Sequence, residues 1–364
     1  MTHQDILTLD PKYALLGFGL MRLPSAGETK QMVDMYIDAG FNYFDTAYVY
    51  GDSEDKMKKT LCSRHQRDSF IVANKMPPWM VNSPKDCDKI FAKSLKNCGL
   101  DHFDFYLVHS IDDGAEQNAI KAGIFEWIVQ QKKKGLCKHI GFSFHGTTGL
   151  LDRLLTNYPE MEFVQLQLNY IDILRGKAGE LHEVALKHKK PVIVMEPVKG
   201  GMLAKLPKTA EAIFKNHAPD SSAASWAVRY AASLSGATCL LSGMSTIDQM
   251  KDNIKTYKPF TPITPEELDV IDNVLQELSK IAVIPCTSCG YCLDECPKKI
   301  AIPACFNLYN DLKRGAAKWN LQSLHRGFPE GQRAGDCISC GACVPRCPQH
   351  INIPEELKTV AGQL

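Results

Sequence analysis

Eight cysteines near the C-terminus of the 364-residue chain fall into two copies of one pattern, C-x2-C-x2-C-x3-C-P. The first copy, CTSCGYCLDECP, begins at Cys286, and the second, CISCGACVPRCP, begins at Cys337. This spacing is typical of domains that hold two [4Fe–4S] clusters. Zinc sites, the alternative, usually show paired C-x2-C ligands separated by a longer loop. The pattern therefore favours two iron–sulfur clusters.

In such domains the first three cysteines of a run bind one cluster, and the fourth, which precedes proline, binds the other. This rule predicts two ligand sets that exchange their fourth members. The predicted first set is Cys286, Cys289, Cys292 and Cys347, and the predicted second set is Cys337, Cys340, Cys343 and Cys296. Gly290 and Gly341 are expected to keep the backbone close to each cluster.

The composition narrows the class of protein. Lys and Arg total 42 against 41 Asp and Glu, and the basic residues are scattered, so no nucleic-acid partner is predicted. The N-terminus lacks the basic start and apolar core of a signal peptide, and no apolar run is long enough to span a membrane. We therefore expect a soluble cytoplasmic protein. In such a chain, clustered cysteines indicate metal binding rather than disulfides.

Short apolar runs alternate with amphipathic stretches from residue 13 to about 256. The predicted strands are ALLGFGL, NYFDT, FIVANK, FDFYLVH, HIGFSF, FVQLQLN, PVIVMEP and TCLLSG. Eight strand–helix units of this kind predict a (β/α)8 TIM barrel. An open doubly wound sheet is less well supported because GFGLMRLP does not provide a G-x-G-x-x-G turn before a helix. The predicted domains are the barrel, residues 1–283, and a small ferredoxin-like iron–sulfur domain, residues 284–364.

Active-site residues of TIM barrels lie at the C-terminal ends of the strands. Reading those ends gives Asp45 and Tyr50 after the second strand, Lys75 at the third and His109 at the fourth. A nearby ammonium lowers the pKa of a tyrosine, and a carboxylate keeps that ammonium charged. These four residues predict a proton-delivery set. Taken singly, each residue type at a strand end is usually a cap or a solvated charge.

In order and local context, these four residues resemble the tetrad of the aldo/keto reductase family. The resemblance covers about residues 13–256. It implies that Tyr50 is the general acid/base, that Lys75 and Asp45 tune it, and that His109 orients the substrate carbonyl. It also implies a nicotinamide cofactor bound along the later strands. The implied cofactor-binding residues are Ser143 with Phe144 or His145 beside it, Gln165, Met195, Ser242, Gly243, Ser245, Thr246, Gln249 and Asn253.

Two positions depart from the family pattern. NADPH-specific members carry an Arg four residues before the matching Asn, whereas this chain has Gln249. A neutral side chain makes no charge-assisted bond to the 2′-phosphate of NADPH, which leaves NAD open as an alternative to NADP. The family often stacks an aromatic ring on the nicotinamide at the end of strand seven, where this chain has Met195. That change leaves a flavin open as an alternative flat cofactor.

The complete layout resembles aldo/keto reductases with a C-terminal domain of two [4Fe–4S] clusters. It implies an oxidoreductase that interconverts a small carbonyl and an alcohol with NAD(P)H, coupled to the clusters. Alternatively, the chain is an electron-transfer protein whose barrel binds a flavin or a redox partner, or an ordinary reductase with structural or redox-sensing clusters. Because nicotinamides exchange electrons in pairs and clusters exchange them singly, an intermediary is expected. A flavin, a substrate that tolerates a radical, or a redox partner of the ferredoxin or flavodoxin type would serve.

Overall fold

The computed structural model describes residues 2–8, 12–314 and 318–364. Eight parallel strands form a closed barrel in sequence order, and β8 pairs with β1. This architecture confirms the predicted TIM barrel, and each predicted strand overlaps an observed one. The strands are β1 (Leu15–Gly19), β2 (Tyr43–Asp45), β3 (Ile71–Met76), β4 (Phe103–Ile111), β5 (Cys137–Phe144), β6 (Phe163–Gln167), β7 (Val192–Met195) and β8 (Ala237–Ser242).

The helices follow the amphipathic stretches between the strands. Those up to β7 are α1 (His3–Leu7), α2 (Ala26–Asp38), α3 (Ser53–Met57), α4 (Pro84–Cys98), α5 (Ala115–Lys121), α6 (Ile124–Lys133), α7 (Thr148–Asn157), α8 (Tyr170–Leu174) and α9 (Ala178–Lys187). The later ones are α10 (Lys208–His217), α11 (Ala223–Ala232), α12 (Ile247–Tyr257), α13 (Pro265–Ser279), α14 (Ile302–Lys313), α15 (Lys318–Arg326) and α16 (Ile353–Ala361). In the described part of the chain, none of them has the length and apolar character needed to cross a bilayer.

Side chains on each strand alternate between the barrel interior and the surrounding helices, as the two-residue period of a strand requires. Tyr43, Phe105 and Phe163 pack together inside the barrel with Cys239. Because their neighbours along each strand face the helices, the next inward position on β2 is Asp45. The alternation that fills the core therefore also turns polar residues at the strand ends towards the mouth of the barrel.

Two compact units divide the chain. The first comprises residues 1–197 and 225–263, and contains the barrel strands. The second comprises residues 198–224 and 264–364, and contains both cysteine runs. The segment after β7 thus groups with the cysteine-rich part of the chain. Residues 315–317, in the segment between the two cysteine runs, lie outside the described residues.

The second unit has its own helix cap and its own apolar core. Helix α13 begins with a capping box, in which Thr264 and Glu267 satisfy each other's backbone N–H groups. A separate apolar core contains Ile302, Phe306 and Leu357. Two cysteines of the runs, Cys292 and Cys343, lie within it, and four others pack against it: Cys286, Cys296, Cys337 and Cys347. This unit therefore folds around the cysteines rather than around an extension of the barrel core.

A substitution at Gly141 tests the close packing of the barrel interior. A Cβ atom at Gly141 would lie 2.9 Å from the ring of Phe163 and well inside contact distance of the Phe163 carbonyl oxygen. We expect Gly141→Ala to destabilise the fold by about 1–3 kcal/mol, because overpacking forces backbone shifts. Thermal unfolding followed by circular dichroism, under anaerobic conditions, measures the change in Tm.

Gly149→Ala is the matched control because Gly149 lies in α7 with no atom within 4 Å of the added Cβ. Alanine there should leave the stability unchanged or raise it by up to about 1 kcal/mol. Equal losses of Tm in both variants would contradict the close packing of β5 against β6.

Candidate active site and iron–sulfur ligand sets

The structure brings together the four residues of the predicted proton-delivery set. Lys75 Nζ lies 2.5 Å from Asp45 Oδ1 and 5.0 Å from the centroid of the Tyr50 ring. The Tyr50 and His109 rings approach edge to face, with centroids 5.6 Å apart. Asp45, Lys75 and His109 are buried, whereas Tyr50 is partly exposed. One partly exposed hydroxyl-bearing ring therefore stands over a buried ion pair beside a buried imidazole.

Burial controls the electrostatics of this group. Desolvation raises the pKa of Asp45 and lowers the pKa of Lys75, while the attraction between the two opposes both shifts. The pKa of His109 lies well below its usual value because of burial, then the charge of Lys75, then His145. His109 is therefore a neutral imidazole at physiological pH, able to make a hydrogen bond without bringing a second positive charge next to Lys75.

A buried polar network fixes the loop that carries Tyr50. Lys75 Nζ also donates to the Thr46 carbonyl oxygen at 2.7 Å, and the Thr46 and Ser53 hydroxyls lie 2.7 Å apart. Glu54, only 4% exposed, accepts from the Asn74 side-chain amide at 2.8 Å. The sequence analysis missed Ser53, Glu54 and Asn74. Ser53 and Glu54 begin α3, where polar residues usually face solvent, and Asn74 lies on β3. Their burial comes from contacts between segments distant along the chain.

Trp79 lies on the same side of the barrel mouth. Its ring centroid is 5.4 Å from that of His109, and it sits on a short 3-10 turn, Pro78–Met80. Asn118 on α5 holds this turn by donating its side-chain amide to the Pro78 carbonyl oxygen and to the Val81 carbonyl oxygen. A half-buried aromatic side chain beside the imidazole provides an apolar wall for a substrate.

The predicted nicotinamide-contacting residues cluster on β5, β6 and β7. Gln165 is 2% exposed, and its Nε2 donates to the Met195 sulfur at 3.4 Å. Its Oε1 is buried and has no hydrogen-bond partner among the described residues. Ser143 accepts a hydrogen bond of 2.7 Å from the N–H of Ser110, a left-handed residue at φ 52°. An unpartnered amide oxygen here suits a carboxamide N–H donor.

The predicted nucleotide segment follows β8 and enters α12. Thr246 caps this helix by accepting from the Gln249 N–H at 3.2 Å. Gln249 Oε1 accepts from the Ser245 N–H at 2.7 Å, and Asn253 Nδ2 donates to the Gln249 carbonyl oxygen at 2.9 Å. Ser242 ends β8, and a Cβ at Gly243 would meet nothing within 4 Å. The start of α12 beside an open loop is a favourable place for a phosphate.

The eight cysteines of the two runs form two groups in the second unit. One cavity is lined by the predicted first set, Cys286, Cys289, Cys292 and Cys347. A second cavity is lined by the predicted second set, Cys296, Cys337, Cys340 and Cys343. The fold therefore exchanges the fourth cysteine of each run, as the spacing predicts.

The surroundings of these sulfurs suit iron–sulfur clusters. Backbone N–H groups of Ser288, Ser339 and Ile300 each donate to a cysteine sulfur at 3.4 Å. Such bonds stabilise thiolates that bind a cluster. Among the described residues, no three His, Cys, Asp or Glu side chains converge on the position of a single metal ion. The cysteines of each set instead stand around a cavity.

Comparison with known families agrees with this layout. The Aldo/keto reductase family model matches residues 15–276. A 4Fe-4S dicluster domain matches residues 285–351. The two matches are consecutive, and together they account for both the barrel and the cysteine runs.

Individual relatives match the barrel. Rhazimal reductase 2 from Alstonia scholaris is 28% identical over 188 residues, which cover 45% of this chain and 57% of that protein. The chain thus spans little more than half the length of that relative. An aldo-keto reductase from Mycolicibacterium vanbaalenii is 26% identical over 69% of this chain and 85% of its own length. The solved holo form of aldo-keto reductase AKR11C1 from Bacillus halodurans, 22% identical, shares the fold with a TM-score of 0.59 over 71% of this chain and 91% of its own.

A double-mutant cycle tests the buried ion pair. Asp45→Asn and Lys75→Met should each destabilise the protein by about 3–5 kcal/mol, because each leaves its partner buried without a counter-charge. The double variant should lose much less than the sum of the two. Urea unfolding at neutral pH measures the three free energies.

The surface pair Lys30 and Asp34, at 3.2 Å on α2, is the control. Its coupling energy should be below about 1 kcal/mol, because solvent screens exposed pairs. Additive losses at Asp45 and Lys75 would show that the two charges do not depend on each other.

Proposed function

The chain belongs to the aldo/keto reductase family, and we propose that it is an oxidoreductase that interconverts a carbonyl group and an alcohol with a nicotinamide cofactor, coupled to electron transfer through two [4Fe–4S] clusters. The observation that supports this most directly is the buried Asp45–Lys75 pair beneath the Tyr50 ring. Apolar residues in place of a buried ion pair often make a fold more stable, so stability alone does not explain this pair. A buried charge pair does shift the pKa of a neighbouring acid.

Tyr50 is the proton donor to the carbonyl oxygen during reduction and the acceptor during oxidation. Phenols release protons poorly near pH 7, since their usual pKa is about 10. The Lys75 ammonium, 5.0 Å from the ring centroid, favours the phenolate and so eases proton transfer. Asp45 keeps that ammonium charged and oriented. The loop network around Ser53 and Glu54 holds the ring in place.

His109 contributes orientation rather than charge. As a neutral imidazole it can hydrogen-bond the carbonyl oxygen that Tyr50 protonates, which sets the position of the reacting carbon. Its low pKa, caused mainly by burial, keeps this role available at physiological pH. Trp79 provides the apolar side of the substrate site.

Gln165 and Ser143 are placed to hold the carboxamide of a nicotinamide, and the loop from Ser242 to Thr246 is placed to hold its phosphates. When bound, the nicotinamide supplies two electrons and a proton together to the carbonyl carbon. Met195 replaces an aromatic ring as the neighbour of the cofactor, with its sulfur already in contact with Gln165. Gln249 carries no charge, which favours NAD over NADP.

The ligand sets in the second unit are Cys286, Cys289, Cys292 and Cys347, and Cys337, Cys340, Cys343 and Cys296. The clusters that these sets hold exchange one electron at a time. Coupling a one-electron domain to a two-electron site requires an external supply or sink of single electrons. A redox protein of the ferredoxin or flavodoxin type meets that requirement.

Removing the hydroxyl of Tyr50 tests the acid/base assignment. Tyr50→Phe should lower kcat for aldehyde reduction by at least about a hundredfold, the lower end of what general acid catalysis contributes. NADH affinity, followed by cofactor fluorescence, should stay unchanged because the ring remains. A panel of aldehydes with NADH under anaerobic conditions provides the assay.

Tyr48→Phe is the control within the same loop, since the Tyr48 hydroxyl accepts a hydrogen bond from the exposed Lys93 at 3.0 Å. It should keep wild-type turnover. Full turnover in Tyr50→Phe would overturn the proposed role of Tyr50.

A charge introduced at Gln249 tests the cofactor preference. Gln249→Arg should tighten NADPH binding about tenfold, because one charge-assisted hydrogen bond contributes about 1.5–3 kcal/mol. NADH binding should change little. Gln249→Met is the control, because it removes the hydrogen bond from the Ser245 N–H without adding a charge. It shows how much of any change in binding comes from the altered loop and not from the new charge. Tighter binding of NADPH than NADH by the unmodified protein would contradict the assignment.

A further inference from the structure

The two cysteine runs form loops of the same backbone conformation. Ser288 and Ser339 hold equivalent places after the first cysteine of each run, and both are left-handed, with φ of 56° and 54°. Lys299 and His350, three residues after the last cysteine of each run, both have φ of 52°. The two loops therefore differ in solvent exposure because of the segments packed around them, and not because of their own backbone conformation.

The surroundings differ strongly. Thr287, next to the first cysteine of the first run, is 2% exposed, whereas its counterpart Ile338 in the second run is 58% exposed. Cys289 is half-buried, whereas its counterpart Cys340 is exposed. The first ligand set therefore has buried or half-buried cysteines only, whereas the second presents Cys340 at the surface.

Contacts within the second unit explain why the first loop is covered. The short helix Lys199–Ala204 packs so closely on it that a Cβ at Gly200 would lie 2.5 Å from Thr287 Cα. Gly200 is left-handed, with φ of 64°, so glycine is required there both for conformation and for space. Among the described residues, nothing covers Ile338 to this extent, since it is 58% exposed.

The polarity of the side chains at these two positions is the opposite of what their burial would predict. An apolar side chain is expected at the covered position and a polar one at the exposed position, yet the chain has Thr287 covered and Ile338 exposed. Ile338 lines the same cavity as the exposed ligand Cys340 and as Lys298, so an apolar and a basic side chain flank the second set at the surface.

Charge around the exposed loop indicates the kind of partner. Lys298 lines the second cavity, where the first cavity has the neutral Gln349 at the equivalent place. Lys298 and Lys299 are both exposed, and in the described part of the chain neither forms an ion pair. The nearby Glu295 is neutralised by Arg346, with its carboxylate 3.2 Å from the Arg346 Nε. A partner with an acidic face fits this surface.

We propose that the chain exchanges electrons with an acidic one-electron carrier protein that docks on the exposed loop around Ile338, Cys340, Lys298 and Lys299, so that the second ligand set is the entry point. One electron leaves the reduced carrier and enters the cluster held by Cys337, Cys340, Cys343 and Cys296, with no proton or bond change. The inference rests on the proposed function for its clusters, but not on the chemistry of Tyr50.

Anaerobic stopped-flow mixing with a reduced acidic [2Fe–2S] ferredoxin tests this surface, with bleaching of cluster absorbance as the readout. The second-order rate constant of the unmodified protein should fall as salt rises. Ile338→Asp should lower it at least tenfold at low salt. Lys298→Glu should lower it as well and flatten its salt dependence. Iron and sulfide content, together with reduction by dithionite, a small reductant that needs no docking, shows that each variant keeps its clusters.

Leu268→Asp is the matched control, since Leu268 is 42% exposed on α13 and lines neither cysteine cavity. It should react at the unmodified rate. If Ile338→Asp loses iron, Lys298→Glu alone decides the question. Unmodified rates in the iron-replete variants, or equal slowing by Leu268→Asp, would overturn the proposal. Tyr50→Phe should leave cluster reduction intact, so a failure of the carbonyl assignment gives a different result.

Discussion

The candidate active site depends on the ion pair between Lys75 and Asp45. Both groups are buried at the mouth of the barrel, where removing two charges from water is costly unless each has a partner. The pair, the Thr46 carbonyl oxygen and the network through Ser53 and Glu54 together fix the loop that presents Tyr50. Without the ammonium, Tyr50 is an ordinary phenol at the surface. In the proposed mechanism, the ammonium favours the phenolate and so eases proton transfer from the ring.

The second constraint is the mismatch in electron number between the two units. A nicotinamide gives up electrons in pairs, whereas iron–sulfur clusters pass them singly. The chain carries a family barrel suited to the first and a dicluster domain suited to the second. The two cysteine loops differ in exposure, because the segment that follows β7 covers Thr287, whereas Ile338 faces solvent. This difference gives the proposed electron transfer a direction. The sealed and open loops suit different stages of electron transfer.

The sequence predicted some parts of this molecule well because their physics is local or strictly periodic. Eight apolar runs that alternate with amphipathic stretches predicted the barrel, and cysteine spacing predicted which four sulfurs surround each cavity. The sequence did not reveal the burial of Glu54, the covering of Thr287 by Gly200 or the exposure of Ile338. Each depends on packing between segments distant along the chain. Thr287 and Ile338 even suggest the opposite exposure when judged by side-chain polarity alone.

Purification without oxygen, followed by iron, sulfide and flavin analysis and by an NADH binding isotherm, tests the central claim most directly. The account predicts about eight iron and eight sulfide per chain, one NADH site and no bound flavin. Absence of iron after strictly anaerobic handling would contradict the cluster assignment. A stoichiometric flavin with no NADH site would contradict nicotinamide binding by the barrel and would indicate an electron-transfer protein instead.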